Sequence, residues 1–170
     1  DEQFDALIKE RFLSYHIKAK LLELFEWRKS HKGRLAEIII LDQFSRNIFR
    51  KSKSSFSADR IAIAASKQSI KYEFDLKIDE PARQFLYLPL MHSENLYDQE
   101  KCIRQILQKL PSSGHNVLKH ARAHRELIRS YGRFPSRNSQ LGRTNTLFEQ
   151  EYFDHGGYQA VLSRINNYAA

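Results

Sequence analysis

The sequence predicts an all-α protein of about seven helices, and three observations support this prediction. Apolar residues recur along most of the chain at steps of three and four, which is the period of an amphipathic helix. Only 6 glycines and 4 prolines interrupt the 170 residues, so long elements are expected. No run of alternating apolar and polar residues lies between turn signals, so no strand is predicted.

The first half of the chain predicts three helices. Residues 3–29 form one long helix or two helices joined near Ser14, and residues 31–33 end it. Residues 34–49 form a second helix that is apolar on nearly every side, so it is expected to be central. After a polar loop, Ser57 is expected to cap a third helix over residues 58–71.

The second half repeats this alternation of helices and turns. Pro81 suits the first turn of a helix that Pro89 should kink or end. The remaining helices are predicted over 94–110 with Ser93 as its cap, over 115–131, and over 147–154 with Thr146 as its cap. Glycines and a proline make 132–145 a loop. The chain thus divides into a single helical domain over 1–157 and a tail or weak helix over 158–170.

Composition excludes several classes of protein. Hydrophobic residues make up 41% and charged residues 28%, as in ordinary globular domains. Cys102 is the sole cysteine, so an internal disulfide and a cysteine-rich zinc site are excluded, and we expect a core thiol. No apolar run approaches the ~20 residues that cross a bilayer, so a cytoplasmic protein without a membrane partner is expected. The chain begins at Asp1 without a signal peptide, which suggests a trimmed start.

Residues 101–170 hold 11 basic and 4 acidic residues, a balance of +7 out of the net charge of +8. Residues 101–145 contain ten basic residues against one acidic residue, Glu126. Such a surface can bind nucleic acid, but no nucleic-acid-binding motif accompanies it, and a solvated basic face explains it equally. Nucleic acid is therefore possible and not favoured.

The central helix contains a polar cluster. Asp42 lies among apolar residues, and a buried carboxylate needs a partner, which Arg46 at i+4 can provide. Gln43 and Asn47 form a second polar pair at the same spacing. The cluster is either a buried network that fixes helix packing or one wall of a ligand site.

Histidines and a carboxylate form the next candidates. His92 and Glu94 lie where one helix ends and another begins, and such a pair can transfer protons. His120 and His124 have the i, i+4 spacing of metal ligands, but the glutamate of the H-E-x-x-H motif is missing. His124 lies on an apolar stripe, so a core histidine is the simpler interpretation. No metal and no cofactor are predicted.

The loop after the 115–131 helix is rich in arginine. Arg133, Arg137 and Arg143 fall within eleven residues, with Asn138 beside them. Guanidinium groups bind carboxylates and phosphates through paired hydrogen bonds. The alternative is that these arginines are structural clamps for carboxylates of the chain.

Three segments resemble a family. Residues 41–50 (LDQFSRNIFR), 85–94 (FLYLPLMHSE) and 131–143 (YGRFPSRNSQLGR) are similar, in order and spacing, to the largely bacterial family "domain of unknown function 924". The resemblance covers about residues 2–157 and implies a helical fold similar to tetratricopeptide-like superhelices, without an established activity. Two features depart from the family pattern. Ser136 stands where it usually has histidine, and the usual Trp/Phe-rich opening segment is missing.

The leading functional prediction is binding of an anionic small molecule or an acidic peptide in an arginine-lined cleft. The alternative is a hydrolase or transferase that acts on a phosphorylated or carboxylated metabolite, with His92 or His124 as general base. The sequence contains no activated nucleophile, and it does not indicate an oligomeric state. The predicted cleft residues are Asp42, Gln43, Arg46, Asn47, His92, Glu94, His124, Arg133, Arg137, Asn138 and Arg143.

Overall fold

The all-α prediction is confirmed. A computed structural model describes residues 1–167, with side chains through residue 165, and this part of the chain contains helices and no strand. Seven of its α-helices have eight or more residues. The chain divides into two compact units, Asp1–Pro89 and Leu90–Ala170. Within the described residues, no helix combines the length and the apolar character needed to span a membrane.

The N-terminal unit is built from four consecutive helical regions. Helix α2 continues without a break through a π-helical segment, Ile39–Phe44, into α3. The α-helices of this unit are α1 (Glu2–Lys20), α2 (His31–Ile38), α3 (Ser45–Ile48) and α4 (Asp59–Lys71). Four 3₁₀ turns connect and follow them: Phe25–Lys29, Lys53–Phe56, Asp75–Lys77 and Ala82–Leu86. The short α5 (Leu88–Met91) spans the boundary between the two units.

The core of the N-terminal unit lies around α2 and the π-helical segment. Ala19 of α1, Ile40 and Leu41 of the π-helical segment, and Ala62 of α4 are buried together there. The region predicted to be the central helix therefore contacts both α1 and α4. Its apolar character on nearly every side follows from that position.

The C-terminal unit is mostly helical, and the segment predicted as a loop over 132–145 contains the 3₁₀ turn Pro135–Arg137 and a short helix. Its α-helices are α6 (Leu96–Lys109), α7 (Gly114–Tyr131), α8 (Asn138–Leu141), α9 (Leu147–Asp154) and α10 (Gly157–Asn167). Helices α6 and α10 both pack against α7. Most of the segment predicted as a tail or weak helix is thus α10, and Val161 anchors it in the core of this unit. Residues 168–170 of that prediction lie outside the described residues.

The predicted start of the second helix was wrong. Residues 31–33 were expected to end the first helix, but Ser30 caps the start of α2 and accepts a hydrogen bond from the Gly33 amide at 3.1 Å. A Cβ atom on Gly33 would lie 2.3 Å from the Trp27 carbonyl oxygen. Gly33 is thus required for the close approach of α2 to the preceding 3₁₀ turn, and it does not break the helix.

Helix α1 also ends earlier than predicted. The Glu23 amide donates to the Lys18 carbonyl at 2.9 Å, which is the closing bond of a Schellman-type helix end. Leu22 takes the left-handed conformation (φ 64°) that glycine usually adopts at such a position. The rest of the predicted 3–29 helix is the 3₁₀ turn Phe25–Lys29.

Of the three helix caps predicted from the sequence, one is confirmed and two are wrong. Thr146 caps α9 in a full capping box with Glu149, as the sequence predicts. Ser93 does not cap α6; Asn95 does, because its Oδ1 accepts from the Tyr97 amide at 2.9 Å. Ser57 does not cap α4 either, because its hydroxyl donates to the Ser54 carbonyl instead.

Candidate functional site

The structure pairs Asp42 and Arg46 as the spacing predicts. The Asp42 carboxylate is 1% exposed, and its Oδ1 lies 3.6 Å from Arg46 Nη2. Arg46 forms a closer ion pair with Asp59, at 2.9 Å, and it also donates to the main-chain carbonyls of Asp42 and Ser55. Arg46 therefore ties the π-helical segment to the start of α4.

The predicted pair of Gln43 and Asn47 is not formed. The Gln43 amide donates to the Asp42 carboxylate next to it in the chain. Asn47 donates to Asp5 of α1 at 2.8 Å, and Arg50 binds the same carboxylate. The carboxylates of Asp42 and Asp5 bind the two amides that the i, i+4 spacing would pair with each other.

In the C-terminal unit, Glu94 binds the arginine loop directly. Its two oxygens accept from Arg143 at 2.9 and 2.8 Å, and the Phe134 amide donates to Oε1 at 2.9 Å. Partial burial alone would raise the pKa of Glu94. The hydrogen bonds from Arg143 and Phe134 outweigh the burial and keep that pKa below its usual value.

Arg133 is held in the same way by a carboxylate that the sequence analysis did not single out. Its Nε and Nη2 donate to the two oxygens of Glu149 at 2.6 and 2.8 Å. Glu149 is 1% exposed, and the Arg133 bond lowers its pKa to about 2. Asn138 is buried beside this pair and donates to Asn145 at 2.9 Å.

Arg137 lies against the aromatic residues of this unit. Its guanidinium group lies 4.7 Å from the Phe134 ring centre and donates to the His92 carbonyl at 2.8 Å. The His92 ring is 6.2 Å from the His124 ring. Ser136, the family's usual histidine position, is exposed in the adjoining 3₁₀ turn Pro135–Arg137. The three predicted arginines therefore hold carboxylates or carbonyls of their own unit.

His124 is a part-buried and neutral histidine. Its Nδ1 lies 2.8 Å from the His120 carbonyl oxygen. Because a carbonyl only accepts, Nδ1 carries the proton. Burial lowers the pKa of His124 to about 4, and the nearby His92 acts in the same direction. A group with such a pKa is a weak proton acceptor at neutral pH, which does not support a general-base role for His124.

His120 pairs with Tyr158 of α10. The Tyr158 hydroxyl lies 2.7 Å from His120 Nδ1, and the two rings stack at 6.0 Å. Burial raises the pKa of Tyr158 to about 12. Over the residues that the structure describes, no three His, Cys, Asp or Glu side chains are grouped as metal ligands.

A charged pocket that the sequence analysis missed lies in the N-terminal unit. Glu37 of α2 is fully buried between two arginines: Arg28 Nε donates to it at 2.8 Å and Arg34 Nη1 at 2.9 Å. Arg34 is 7% exposed and also donates to Gln68 of α4 at 3.0 Å. Burial lowers the pKa of Arg34 below its usual value and outweighs the opposing effect of the Glu37 charge, and the Arg28 charge acts in the same direction as burial. Two arginines here share one carboxylate.

These groups line a cavity of about 300 Å³. Arg60, an exposed residue in the first turn of α4, joins them, so the lining contains three arginines and one glutamate. Among residues 1–165, whose side chains the structure describes, Arg60 forms no ion pair. The other lining residues are Leu22, Ile61, Ala64, Ala65 and Gln68. We call this cavity the Arg60 pocket.

One signal in the sequence could have indicated the Arg60 pocket. Glu37 lies in the same apolar helical region as Asp42, and it has Arg34 three residues before it. The argument that a buried carboxylate needs a cationic partner applies equally to Glu37. Arg28 and Arg60 could not be found in this way, because only the fold brings their segments to α2.

A larger groove of about 580 Å³ lies in the C-terminal unit. Its walls include the aromatic residues Tyr131, Phe148 and Tyr152. Its charged side chains, Glu151 and Arg164, are of opposite sign. The groove therefore offers no comparable charge surplus.

Comparison with known proteins places the chain in a class of helical bacterial proteins. A family model described as "Bacterial protein of unknown function (DUF924)" matches residues 1–157, and the chain belongs to this family. The chain is also similar to a solved structure of a protein of unknown function from Agrobacterium tumefaciens. The two share 33% identity and a TM-score of 0.84, over 92% of this chain and 86% of the other. No curated protein matches the chain.

Proposed function

We propose that the protein binds a small anionic molecule in the Arg60 pocket. The observation that carries the proposal is the surplus of two positive charges, from three guanidinium groups and one carboxylate, in a cavity of about 300 Å³. Pockets for small molecules have mostly apolar walls and a few convergent polar groups, and the lining of this cavity has that composition.

This proposal keeps the ligand class predicted from the sequence and changes the location of the site. Arg133 and Arg143 were expected to bind the anion, but each already binds a glutamate through two hydrogen bonds. An anion would have to displace those carboxylates. In the Arg60 pocket, Arg60 needs to release no partner within residues 1–165.

Isothermal titration calorimetry of the whole chain tests the proposal. The probes are inorganic phosphate and a series of mono- and dicarboxylates, and the variants are Arg60→Gln and Arg104→Gln. Arg104 is an exposed arginine of α6 in the other unit, so it is a matched control for the loss of one surface charge.

We expect at least one anion to bind the wild type and the Arg104→Gln variant, and to bind Arg60→Gln about tenfold more weakly or worse, as for the loss of a charge-assisted hydrogen bond. Absence of binding by every probe contradicts the proposal, as does equal loss of affinity in both variants. Binding of short oligonucleotides or acidic peptides alone would favour the other partners that the sequence suggested.

A further inference from the structure

The walls of the Arg60 pocket indicate which anion it takes, and we infer that the ligand is a monocarboxylate with a short aliphatic chain. This inference depends on the proposed function. It goes further because it assigns separate roles to the charged and apolar sides of the same cavity.

The charged side is suited to one carboxylate group. Both terminal nitrogens of the buried Arg34 are already engaged, one by Glu37 and one by Gln68. The cations that a ligand can reach are therefore the exposed Arg60 and Arg28, whose side chain is 23% exposed. Two planar guanidinium groups match the two oxygens of a carboxylate.

A hydrogen-bond donor of the amide type lies beside these cations. The Gln68 carbonyl oxygen accepts from Arg34 Nη2 at 3.0 Å, which leaves the Gln68 amide nitrogen directed away from that bond. Gln68 is exposed, so this nitrogen can donate to a carboxylate oxygen. Leu22, Ile61, Ala64 and Ala65 offer no cation for a second anionic group, so the site favours a monocarboxylate over a dicarboxylate.

The pocket also has an aliphatic lining. Leu22, Ile61, Ala64 and Ala65 contribute it, and the two consecutive alanines of α4 leave space that larger side chains would fill. Ile61 also packs against the core of the N-terminal unit, so this wall is fixed in place. Because the cavity is at the lower end of the usual size for small-molecule sites, the aliphatic part of the ligand is short.

Leu22 lies in the wall of the pocket with its side chain 51% exposed. Its left-handed conformation (φ 64°) belongs to the Schellman-type end of α1, and Glu73 adopts the same conformation at the end of α4. The exposed leucine side chain therefore offers an apolar surface to a ligand in the pocket.

Leu22 also provides a variant that should fold. Leu22→Gly relieves the unfavourable φ angle and removes only an exposed apolar side chain. Glu73→Gly is the matched control, because Glu73 is an exposed residue with a similar φ of 57° that does not line the pocket.

Calorimetric titration with acetate, butyrate, isovalerate, isovaleramide and inorganic phosphate tests the inference. Each added methylene should increase the affinity of a carboxylate about three- to fourfold. Isovaleramide, the neutral analogue of isovalerate, should bind at least about tenfold more weakly. Leu22→Gly should reduce the affinity for isovalerate about five- to tenfold and leave acetate unchanged, while Glu73→Gly should leave both unchanged.

Three results would overturn the inference. They are affinity that does not depend on chain length, phosphate binding tighter than isovalerate, and unchanged isovalerate affinity in Leu22→Gly. If these appear while Arg60→Gln still weakens anion binding, the proposed function stands and the ligand class is wrong. If no probe binds in an Arg60-dependent way, both are wrong.

Discussion

Arg133 and Glu149 form a two-point ion pair in which each carboxylate oxygen accepts one guanidinium hydrogen bond, at 2.6 and 2.8 Å. Glu149 also closes the capping box of α9, where it accepts from the Thr146 amide at 2.7 Å. Arg133 thus stabilises the start of α9 through a residue sixteen positions further along the chain. An arginine expected to bind a ligand holds the loop and α9 together.

Replacement of Arg133 by alanine should therefore destabilise the protein. The change leaves the buried Glu149 carboxylate without its cation, and such losses cost about 3–5 kcal/mol for buried pairs. Because the Arg133 side chain is 30% exposed, we expect the lower end of this range, a decrease of about 3 kcal/mol in the free energy of unfolding. Urea unfolding at pH 7 measures this decrease. Arg129→Ala, which breaks an exposed pair with Glu126, should cost less than about 1 kcal/mol. Equal small losses in both variants would contradict the structural role of Arg133.

Stability should fall as the solution is acidified below about pH 5. The folded-state pKa of Glu149 is about 2, below the ordinary value of 4.5. The folded state therefore binds fewer protons than the unfolded state between these values, and the stabilisation from the ionised group is lost as the pH decreases through that range. Glu94, whose pKa is also lowered, acts in the same direction.

Urea unfolding at pH 6, 4 and 3 measures this effect. The Glu149→Gln variant should be less stable than the wild type at pH 6 and should lose less stability between pH 6 and 3. Parallel pH dependences of the two proteins would show that Glu149 is not responsible.

His124 should remain neutral well below the pH at which an ordinary histidine is protonated. Burial lowers its pKa to about 4 from 6.5. Nitrogen chemical shifts of the imidazole ring should report an Nδ1-protonated neutral ring at pH 5.5, while an exposed histidine such as His115 serves as the internal reference. Titration of His124 near pH 6.5 would mean that the ring is exposed to solvent.

Gly33→Ala should destabilise the N-terminal unit and weaken anion binding together. The added Cβ would lie 2.3 Å from the Trp27 carbonyl oxygen, so α2 has to move away from the 3₁₀ turn that carries Arg28. Forced overpacking costs about 1–3 kcal/mol. Lys32→Ala, at the exposed neighbouring position of α2, should have little effect on thermal unfolding or on titration. Unchanged stability in Gly33→Ala would show that the close approach is not needed.

Local signals in the sequence predicted much of the fold. The predicted 115–131 and 147–154 helices match α7 and α9 within one residue, because Gly132 and the Thr146 capping box are strong helix-end signals. Gly33 was misread, because a glycine at a tight helix contact looks the same in sequence as a glycine at a helix end. Only the position of Trp27 distinguishes the two cases.

The candidate site was less predictable for a similar reason. The pair of Asp42 and Arg46 follows from local spacing, and the structure contains it. Glu94 and Arg143 lie 49 residues apart, and no local rule indicates that each is the partner of the other. The Arg60 pocket combines residues from the end of α1, a 3₁₀ turn, α2 and α4, so its charge surplus exists only after folding.

The π-helical segment Ile39–Phe44 has a consequence for any comparison of this helix with a regular one. Each π-type hydrogen bond spans one residue more than an α-type bond, so Arg46 and Asn47 are turned by about 100° relative to an unbroken helix. In terms of sequence change, the segment is equivalent to a single-residue insertion inside a helix. Deletion of one residue there would produce a regular helix and would also turn Arg46 away from Asp59 and Asn47 away from Asp5. The irregular turn and the two polar contacts that follow it therefore depend on each other.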